Sequence, residues 1–201
     1  MGRASGCNPP SETSLKQPSI PESGNSSQRA KSGPSESSGV LTVASASSPF
    51  GQWISTYFPG ETNASIIGPD ADPDQDSVNN LAEFALAGVP NSGSNNGYHA
   101  VATEDTDADL AKELTLTIAV RKAAGSPTFA GSPLTATVDG VTYTIEGSLD
   151  LNFPNSPASE ASPATGPGGL AADWEYRRFR LNASEGLGGK GFLRVKTEAA
   201  P

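Results

Sequence analysis

The C-terminal half of the chain alternates apolar and polar residues with a period of two. Segment 114–120, LTLTIAV, places Leu, Leu, Ile and Val on one side and Thr, Thr and Ala on the other, as in a half-buried strand. Asp139-Gly140 separates the runs LTATV and VTYTIEG, and this dipeptide favours a two-residue hairpin turn. Segments 174–181 and 192–197 predict two more strands. The sequence therefore predicts a mainly β fold, a small antiparallel β-sandwich.

The N-terminal segment, residues 1–45, has a different composition. Residues 1–39 are rich in Ser and Pro, and they contain no aromatic and only six apolar residues. So few apolar side chains cannot offset the entropy that is lost when a chain becomes ordered. We therefore predict a disordered tail or linker over 1–45. Segment 40–47, VLTVASAS, is either a short strand or a continuation of that linker.

An aromatic helix is predicted at the start of the ordered region. In SSPFGQWISTYFPG, apolar residues recur at i, i+3, i+4, i+7 and i+8 from Phe50, which is the apolar stripe of one helix. Ser48 can cap the helix and Pro49 fits its first position. Pro59-Gly60 ends it. Because the aromatic residues share one face, Trp53 is interpreted as a core anchor rather than as a ligand-stacking residue.

A second short helix is predicted over NNLAEFALAG, with Gly88 as its C-cap. The two helices flank an acidic segment, so residues 46–98 are interpreted as a helix–loop–helix segment and residues 99–201 as an antiparallel β domain. Loops are predicted over 89–97 and 152–169, where Pro, Gly, Ser and Asn dominate.

Acidic residues are concentrated in the middle of the chain. Residues 46–111 contain ten Asp or Glu and no Lys or Arg, whereas residues 112–201 contain nine of each sign. The net charge of −9 therefore arises in this block, which would repel nucleic acids and anionic membranes and would attract cations. No apolar run approaches the length of a membrane span, so membrane insertion is not expected. Cys7 is the only cysteine, which excludes an internal disulfide.

The segment DADPDQDSVNNLAEF, residues 70–84, has the ligand spacing of an EF-hand-type calcium loop. Numbered from its first ligand, it offers side-chain oxygens at positions 1, 3, 5, 9 and 12 and a backbone carbonyl at position 7. Calcium takes six to eight oxygen ligands in irregular geometry, so closely spaced carboxylates on a tight loop can surround it. The candidate ligands are Asp72, Asp74, Asp76, the carbonyl of Val78, Asn80 and Glu83.

Two residues depart from the usual loop. Position 6 is normally Gly because the chain turns sharply there, but here it is Ser77, and position 4 is Gln75. A residue with a Cβ in the left-handed conformation costs about 1 kcal/mol or more. The alternative interpretation is a solvated acidic turn that caps a helix.

These segments together resemble a C-terminal module of large secreted bacterial proteins. The resemblance is carried by FGQWISTYFPG, DADPDQDSVNNLAEFALAGVP, LTLTIAVRK, VTYTIEGSLDL and GFLRVKT, over about residues 49–197. In that family an aromatic helix precedes a DPDGDG-x-x-N-L-x-E-F/Y-A-L-G loop, akin to thrombospondin type 3 and dockerin calcium loops, and a β domain follows. The resemblance implies a non-catalytic, calcium-stabilised tail of an extracellular protein. It implies the ligands Asp72, Asp74, Asp76, Asn80 and Glu83, although both loop glycines are replaced here.

Two other groups of residues are weaker candidates. Asp105, Asp107 and Asp109 repeat the D-x-D-x-D spacing, but position 12 of that register is Leu116, so this segment is interpreted as a solvated loop before a strand. In WEYRRFR, alternation places four side chains on one strand face, which is either a glycan or polyanion surface or an ordinary half-buried strand. These four are Trp174, Tyr176, Arg178 and Arg180.

No residue pattern singles out a catalytic site, although an acid pair for glycoside hydrolysis stays open. His99 is the only histidine, and the G-x-S-x-G and H-E-x-x-H patterns are absent, so neither a serine hydrolase nor a zinc enzyme is supported. The first hypothesis is a monomeric, non-catalytic calcium-binding module of an extracellular or cell-surface protein. The alternatives are a carbohydrate-binding or attachment module, whose partner is a surface glycan or protein, and the C-terminal fragment of a secreted hydrolase.

Overall fold

The computed structural model describes residues 47–154, 156–182 and 191–201. In these ranges three short helices precede seven strands. The helices are α1 (Pro49–Tyr57), α2 (Ala64–Ile67) and α3 (Asn80–Leu86). The strands are β1 (His99–Glu104), β2 (Glu113–Arg121), β3 (Leu134–Val138), β4 (Val141–Ser148), β5 (Ala158–Ala161), β6 (Trp174–Leu181) and β7 (Phe192–Ala199). The predicted tail over 1–45 lies outside the described residues.

The strands form two antiparallel sheets, which confirms the predicted mainly β fold. Strands β1-β2-β6-β5 form a four-stranded sheet, and β3-β4-β7 form a three-stranded sheet. The predicted hairpin joins β3 to β4, with Asp139 and Gly140 at positive φ of 52° and 81°. This is the backbone that a two-residue hairpin turn requires.

The core lies between the two sheets. Leu116, Ile118 and Phe179 of the first sheet and Tyr143 and Ile145 of the second are all buried in one hydrophobic cluster. A residue between β2 and β3 joins the two layers. The ring of Phe129 lies 4.8 Å from that of Phe179 and 6.3 Å from that of Tyr143. This packing fits a small sandwich.

Three elements were not predicted. Strand β5 lies inside the predicted loop 152–169, so that part of the loop prediction is wrong: β5 pairs with β6, with Ala158 opposite Leu181. Strand β1 pairs with β2, and α2 is a single turn before the acidic loop. Strand β5 depends on β6, which lies beyond a further loop, and a local pattern does not reveal that partner.

Helix α1 begins as predicted. Ser48 is its N-cap and accepts a hydrogen bond from the Gly51 N–H, and Pro49 is its first residue. The aromatic face of α1 packs on α3, because the rings of Phe50 and Trp53 lie 5.6 and 5.2 Å from that of Phe84. Trp53 therefore packs against the core, as expected.

Helix α3 is bonded to both sheets through its last carbonyls. Trp174 of β6 donates from Nε1 to the Phe84 carbonyl at 3.0 Å, and Tyr143 of β4 donates from its hydroxyl to the Ala85 carbonyl at 2.8 Å. These bonds place α3, and the acidic loop that precedes it, at a fixed position on the sandwich. No helix in the described part of the chain is long and apolar enough to cross a membrane.

Candidate metal centre

Three aspartates of the acidic loop converge. Carboxylate oxygens of Asp72, Asp74 and Asp76 all lie within 4.8 Å of one another, and the three side chains are partly buried. Two ligands of one calcium ion, each 2.3–2.6 Å from it, lie at most about 5 Å apart. The predicted positions 1, 3 and 5 therefore have the spacing of ligands to one cation.

The backbone of this loop folds around its first carboxylate. The N–H groups of Asp76 and Ser77 donate to the two carboxylate oxygens of Asp72 at 3.2 and 3.0 Å. The N–H of Val78 donates to Asp76 Oδ1 at 2.8 Å. Since a carboxylate oxygen has two lone pairs, these bonds leave each oxygen able to bind a cation.

Positions 4 and 6 of the loop are glycine in the family that the sequence resembles. Here both residues have a left-handed backbone conformation. Gln75 has φ of 63° and Ser77 has φ of 77°. Positive φ strains a residue that has a Cβ, whereas glycine adopts it freely. The loop therefore has the backbone of a glycine-containing loop but carries side chains at both turns.

Glu83 is enclosed next to the three aspartates. Its exposed fraction is 0%, and neither of its carboxylate oxygens has a hydrogen-bond partner among the described residues. Burial, and then the charges of Asp74, Asp76 and Asp72, raises the pKa of Glu83 to about 7, against a smaller lowering by the nearby backbone N–H of Val89. That N–H donates its hydrogen bond to the Asn95 carbonyl at 2.9 Å. Burial first, and then the charge of Asp76, also raises the pKa of Asp74. A buried carboxylate is costly unless it is paired or bound to a metal.

Glu83 is not one of the residues within the 4.8 Å set, which comprises the three aspartates alone. Oxygens from all four acids can share one ion only if the Glu83 carboxylate moves closer to the aspartates. Rotation of this carboxylate costs little, because χ3 of Glu has a broad energy profile.

Asn80 anchors the loop to the preceding turn. Its Nδ2 donates to the carbonyls of Ile66 and Gly68, both at 2.8 Å. Its side chain is fully buried, and Oδ1 has no hydrogen-bond partner within the described ranges. The amide therefore keeps one free oxygen, the atom that position 9 of a calcium loop supplies.

The end of α3 differs from the prediction. The C-cap is Ala87, which has φ of 63°, and not Gly88. Gly88 is needed for another reason: a Cβ on it would lie 2.8 Å from the Cβ of Glu83 and 3.0 Å from its Cα. Gly93 is also close to Asp76, because a Cβ there would be 3.1 Å from the Asp76 Cβ. The predicted loop 89–97 therefore packs against the acidic residues.

The predicted ligand surface on β6 does not form an open platform. Trp174 is 9% exposed, and its indole N–H is bonded to α3. The hydroxyl of Tyr176 donates to the Pro167 carbonyl, and a Cβ on Gly166 would lie 2.5 Å from the Tyr176 ring. Segments of the chain itself thus cover both aromatic side chains.

The two arginines of this face are engaged in ion pairs. Arg178 pairs with Glu104 at 2.7 Å, and Arg180 pairs with Asp107. Both acids belong to the acidic block, residues 46–111. The face therefore links β6 to the end of β1 and to the β1–β2 loop, across β2.

Sequence reasoning missed a buried arginine beside the acidic loop's helix. The guanidinium of Arg121 lies 4.4 Å from the ring centre of Phe84 and 4.2 Å from that of Trp174. It also pairs with Asp139 at 2.9 Å, and both side chains are almost fully buried. The available signal was a charged residue directly after the apolar run 114–120. The three groups that enclose it, Phe84, Trp174 and Asp139, are distant in sequence.

Comparison of the chain with models of protein families, with curated proteins and with solved structures finds no match.

Proposed function

We propose that this chain is a calcium-binding, non-catalytic structural module of an extracellular or cell-surface bacterial protein. The observation that carries the proposal is Glu83, a fully buried acid with two unpartnered oxygens next to three clustered aspartates. Four acids in so small a volume repel one another, and a divalent cation would remove that repulsion.

The donor set favours calcium over other common metals. It consists of carboxylate, amide and backbone oxygens, with no His or Cys nearby in sequence, whereas zinc and copper sites use those residues. Calcium accepts six to eight oxygens in flexible geometry, whereas magnesium requires a near-octahedral set and keeps several waters. A loop whose backbone is strained at Gln75 and Ser77 fits calcium better than magnesium, because calcium accepts a less regular ligand geometry.

The ion would act by ordering α3. Glu83 lies on that helix directly before Phe84, whose ring packs against Trp53 and whose carbonyl accepts from Trp174. When calcium fixes Glu83, it holds the helix that connects α1 to the sandwich. Calcium binding and the stability of the module are therefore linked, because a ligand that binds only the native state stabilises it.

An extracellular location agrees with this role. The resemblance to modules of secreted bacterial proteins implies it, and extracellular calcium modules bind at roughly 10⁻⁴ to 10⁻³ M. Strain at Ser77 and Gln75 would weaken the calcium affinity within this range. The site would then be occupied only where the calcium concentration is high.

Calorimetric titration of calcium-stripped protein tests the proposal. We expect heat of binding at calcium concentrations up to several millimolar and much weaker binding of magnesium. Asp74→Asn should remove this binding, whereas Asp70→Asn, an exchange at an exposed aspartate two residues before the loop, should retain it. If Asp74→Asn bound calcium as the wild type does, the proposed centre would be wrong.

A further inference from the structure

Several candidate ligand oxygens of the acidic loop are closed off from water. Both carboxylate oxygens of Glu83 and Oδ1 of Asn80 are buried and have no hydrogen-bond partner among the described residues. The same holds for one carboxylate oxygen of Asp74 and one of Asp76. A buried oxygen without a partner is costly unless a cation binds it. An ion bound here would therefore contact protein oxygens rather than bulk water.

Close spacing of aspartates does not by itself enclose their oxygens. Asp105, Asp107 and Asp109 repeat the D-x-D-x-D spacing between β1 and β2. Their carboxylate oxygens also lie within 4.8 Å of one another, but all three side chains are exposed. The burial of oxygens in the acidic loop before α3 therefore depends on what packs against that loop.

The segment that follows α3 packs against the acidic loop. This segment, the 88–97 loop, leaves the helix and returns to it. At its start the N–H of Gly88 donates to the Glu83 carbonyl at 2.7 Å, and directly after its end the N–H of Tyr98 donates to the Leu86 carbonyl at 2.6 Å. Both ends of the loop are thus fixed on the helix that carries Glu83.

Two glycines allow the 88–97 loop to approach two of the acids. A Cβ on Gly88 would lie 2.8 Å from the Cβ of Glu83. A Cβ on Gly93 would lie 3.1 Å from the Cβ of Asp76 and 3.9 Å from its Oδ2, which is one of the buried oxygens without a partner. Neither glycine has a positive φ, so the backbone conformation does not require glycine there. The close approach to the acids does require it.

We propose that the 88–97 loop excludes water from the calcium centre, and that Gly93 thereby helps to determine the preference for calcium over magnesium. This inference rests on the proposed function. Magnesium keeps several of its waters when it binds a protein, whereas calcium exchanges its waters for protein oxygens more readily. A centre that the loop closes cannot hold the waters that magnesium retains. Gly93 acts through Asp76, so it is a positioning residue.

Terbium, which prefers oxygen ligands as calcium does, tests this closure in the full chain, because its luminescence lifetimes in H2O and D2O give the number of bound waters. We expect about one bound water or fewer in the wild type, since protein oxygens fill the other positions. Gly93→Val should add about one water or more. It should also lower the ratio of the magnesium Kd to the calcium Kd by at least about fivefold, which corresponds to roughly 1 kcal/mol.

Two further variants complete the test. Gly93→Ala introduces the smallest side chain, so it should change both quantities in the same direction but less, and it serves if the valine variant does not fold. Asn91→Ala, at an exposed residue of the same loop, should change neither quantity.

The possible failures are distinguishable. If both Gly93 variants weakened the two ions equally and left the number of bound waters unchanged, Gly93 would have a structural role only, and its part in selectivity would be overturned. About three or more waters on terbium in the wild type would overturn the closed centre while leaving the calcium site itself in place. Wild-type protein that bound neither terbium nor calcium would contradict the proposed function.

Discussion

The hydroxyl of Tyr143 lies 2.8 Å from the carbonyl oxygen of Ala85. The same hydroxyl accepts from the N–H of Arg121 at 3.1 Å, so one buried oxygen joins α3, β2 and β4. Burial is the main reason why the pKa of Tyr143 is raised, and the hydroxyl therefore stays protonated and able to donate. The bond places the helix that carries Glu83 directly on the centre of the sandwich.

Tyr143→Phe should lower the free energy of unfolding by about 1–3 kcal/mol, because it leaves the Ala85 carbonyl and the Arg121 N–H without this buried partner. Denaturant unfolding measures the loss. Tyr57→Phe removes the same atom from a partly exposed tyrosine of α1, and it should change the stability by less than about 0.5 kcal/mol. Equal effects of the two variants would show that the Tyr143 hydroxyl does not connect these elements.

Calcium-stripped protein should become more stable as the pH falls from 8 to 5. The pKa of Glu83 is about 7 in the folded chain, against an ordinary value of 4.5. Between these values the folded state binds a proton that the unfolded state has released, so stability is highest near pH 5 and is lost as the pH rises through 7. Thermal melts of the stripped protein measure this trend.

Glu83→Gln is the control for that trend. The amide cannot ionise, so the melting temperature of the stripped variant should depend less on pH than that of the wild type. In the presence of calcium the wild type should show the opposite trend, because protons compete with the ion for Glu83. If the melting temperatures of the stripped wild type and of the stripped variant changed equally with pH, Glu83 would not take up a proton between pH 8 and pH 5.

Ser77→Gly should tighten calcium binding about fivefold, since it removes roughly 1 kcal/mol of strain from a residue at positive φ. The matched control is Ser77→Ala, which also lacks the hydroxyl but keeps the Cβ and should bind no more tightly than the wild type. Calorimetric titration compares the three proteins. Equal affinities for the glycine and alanine variants would show that the backbone at Ser77 is not the source of strain.

Gly88→Ala should destabilise the module by about 1–3 kcal/mol, because the new Cβ would collide with the Cβ of Glu83. It should also weaken calcium binding by displacing that carboxylate. Gly168→Ala is the same exchange at a position with nothing within 4 Å, and it should be nearly neutral. If both variants had wild-type stability and affinity, Gly88 would not be in close contact with Glu83.

Features set by neighbouring residues could be predicted from the sequence. Ser48 caps α1 because its side chain reaches an N–H three residues on, and Asp139-Gly140 forms a turn because of its own backbone preferences. The aspartates converge because their spacing is local. In each case the interaction that decides the structure lies within a few residues along the chain.

Features set by distant contacts could not be predicted. Alternation along β6 left open whether Trp174 lies on a ligand surface or on an ordinary half-buried strand, because it does not reveal that the indole N–H donates to α3. Strand β5 has the sequence ASEA, with little preference for a strand, and it forms because β6 offers it a partner.

The most direct test of the central claim is a thermal melt of the full chain in calcium, in magnesium and in chelator. At a calcium concentration 100 times Kd, binding to the native state adds about 2.7 kcal/mol, which raises Tm by roughly 5–10 °C for a domain of this size. Magnesium should have a much smaller effect, and Asp74→Ala or Glu83→Ala should remove most of the calcium shift. Identical melting temperatures in calcium and in chelator would contradict the account.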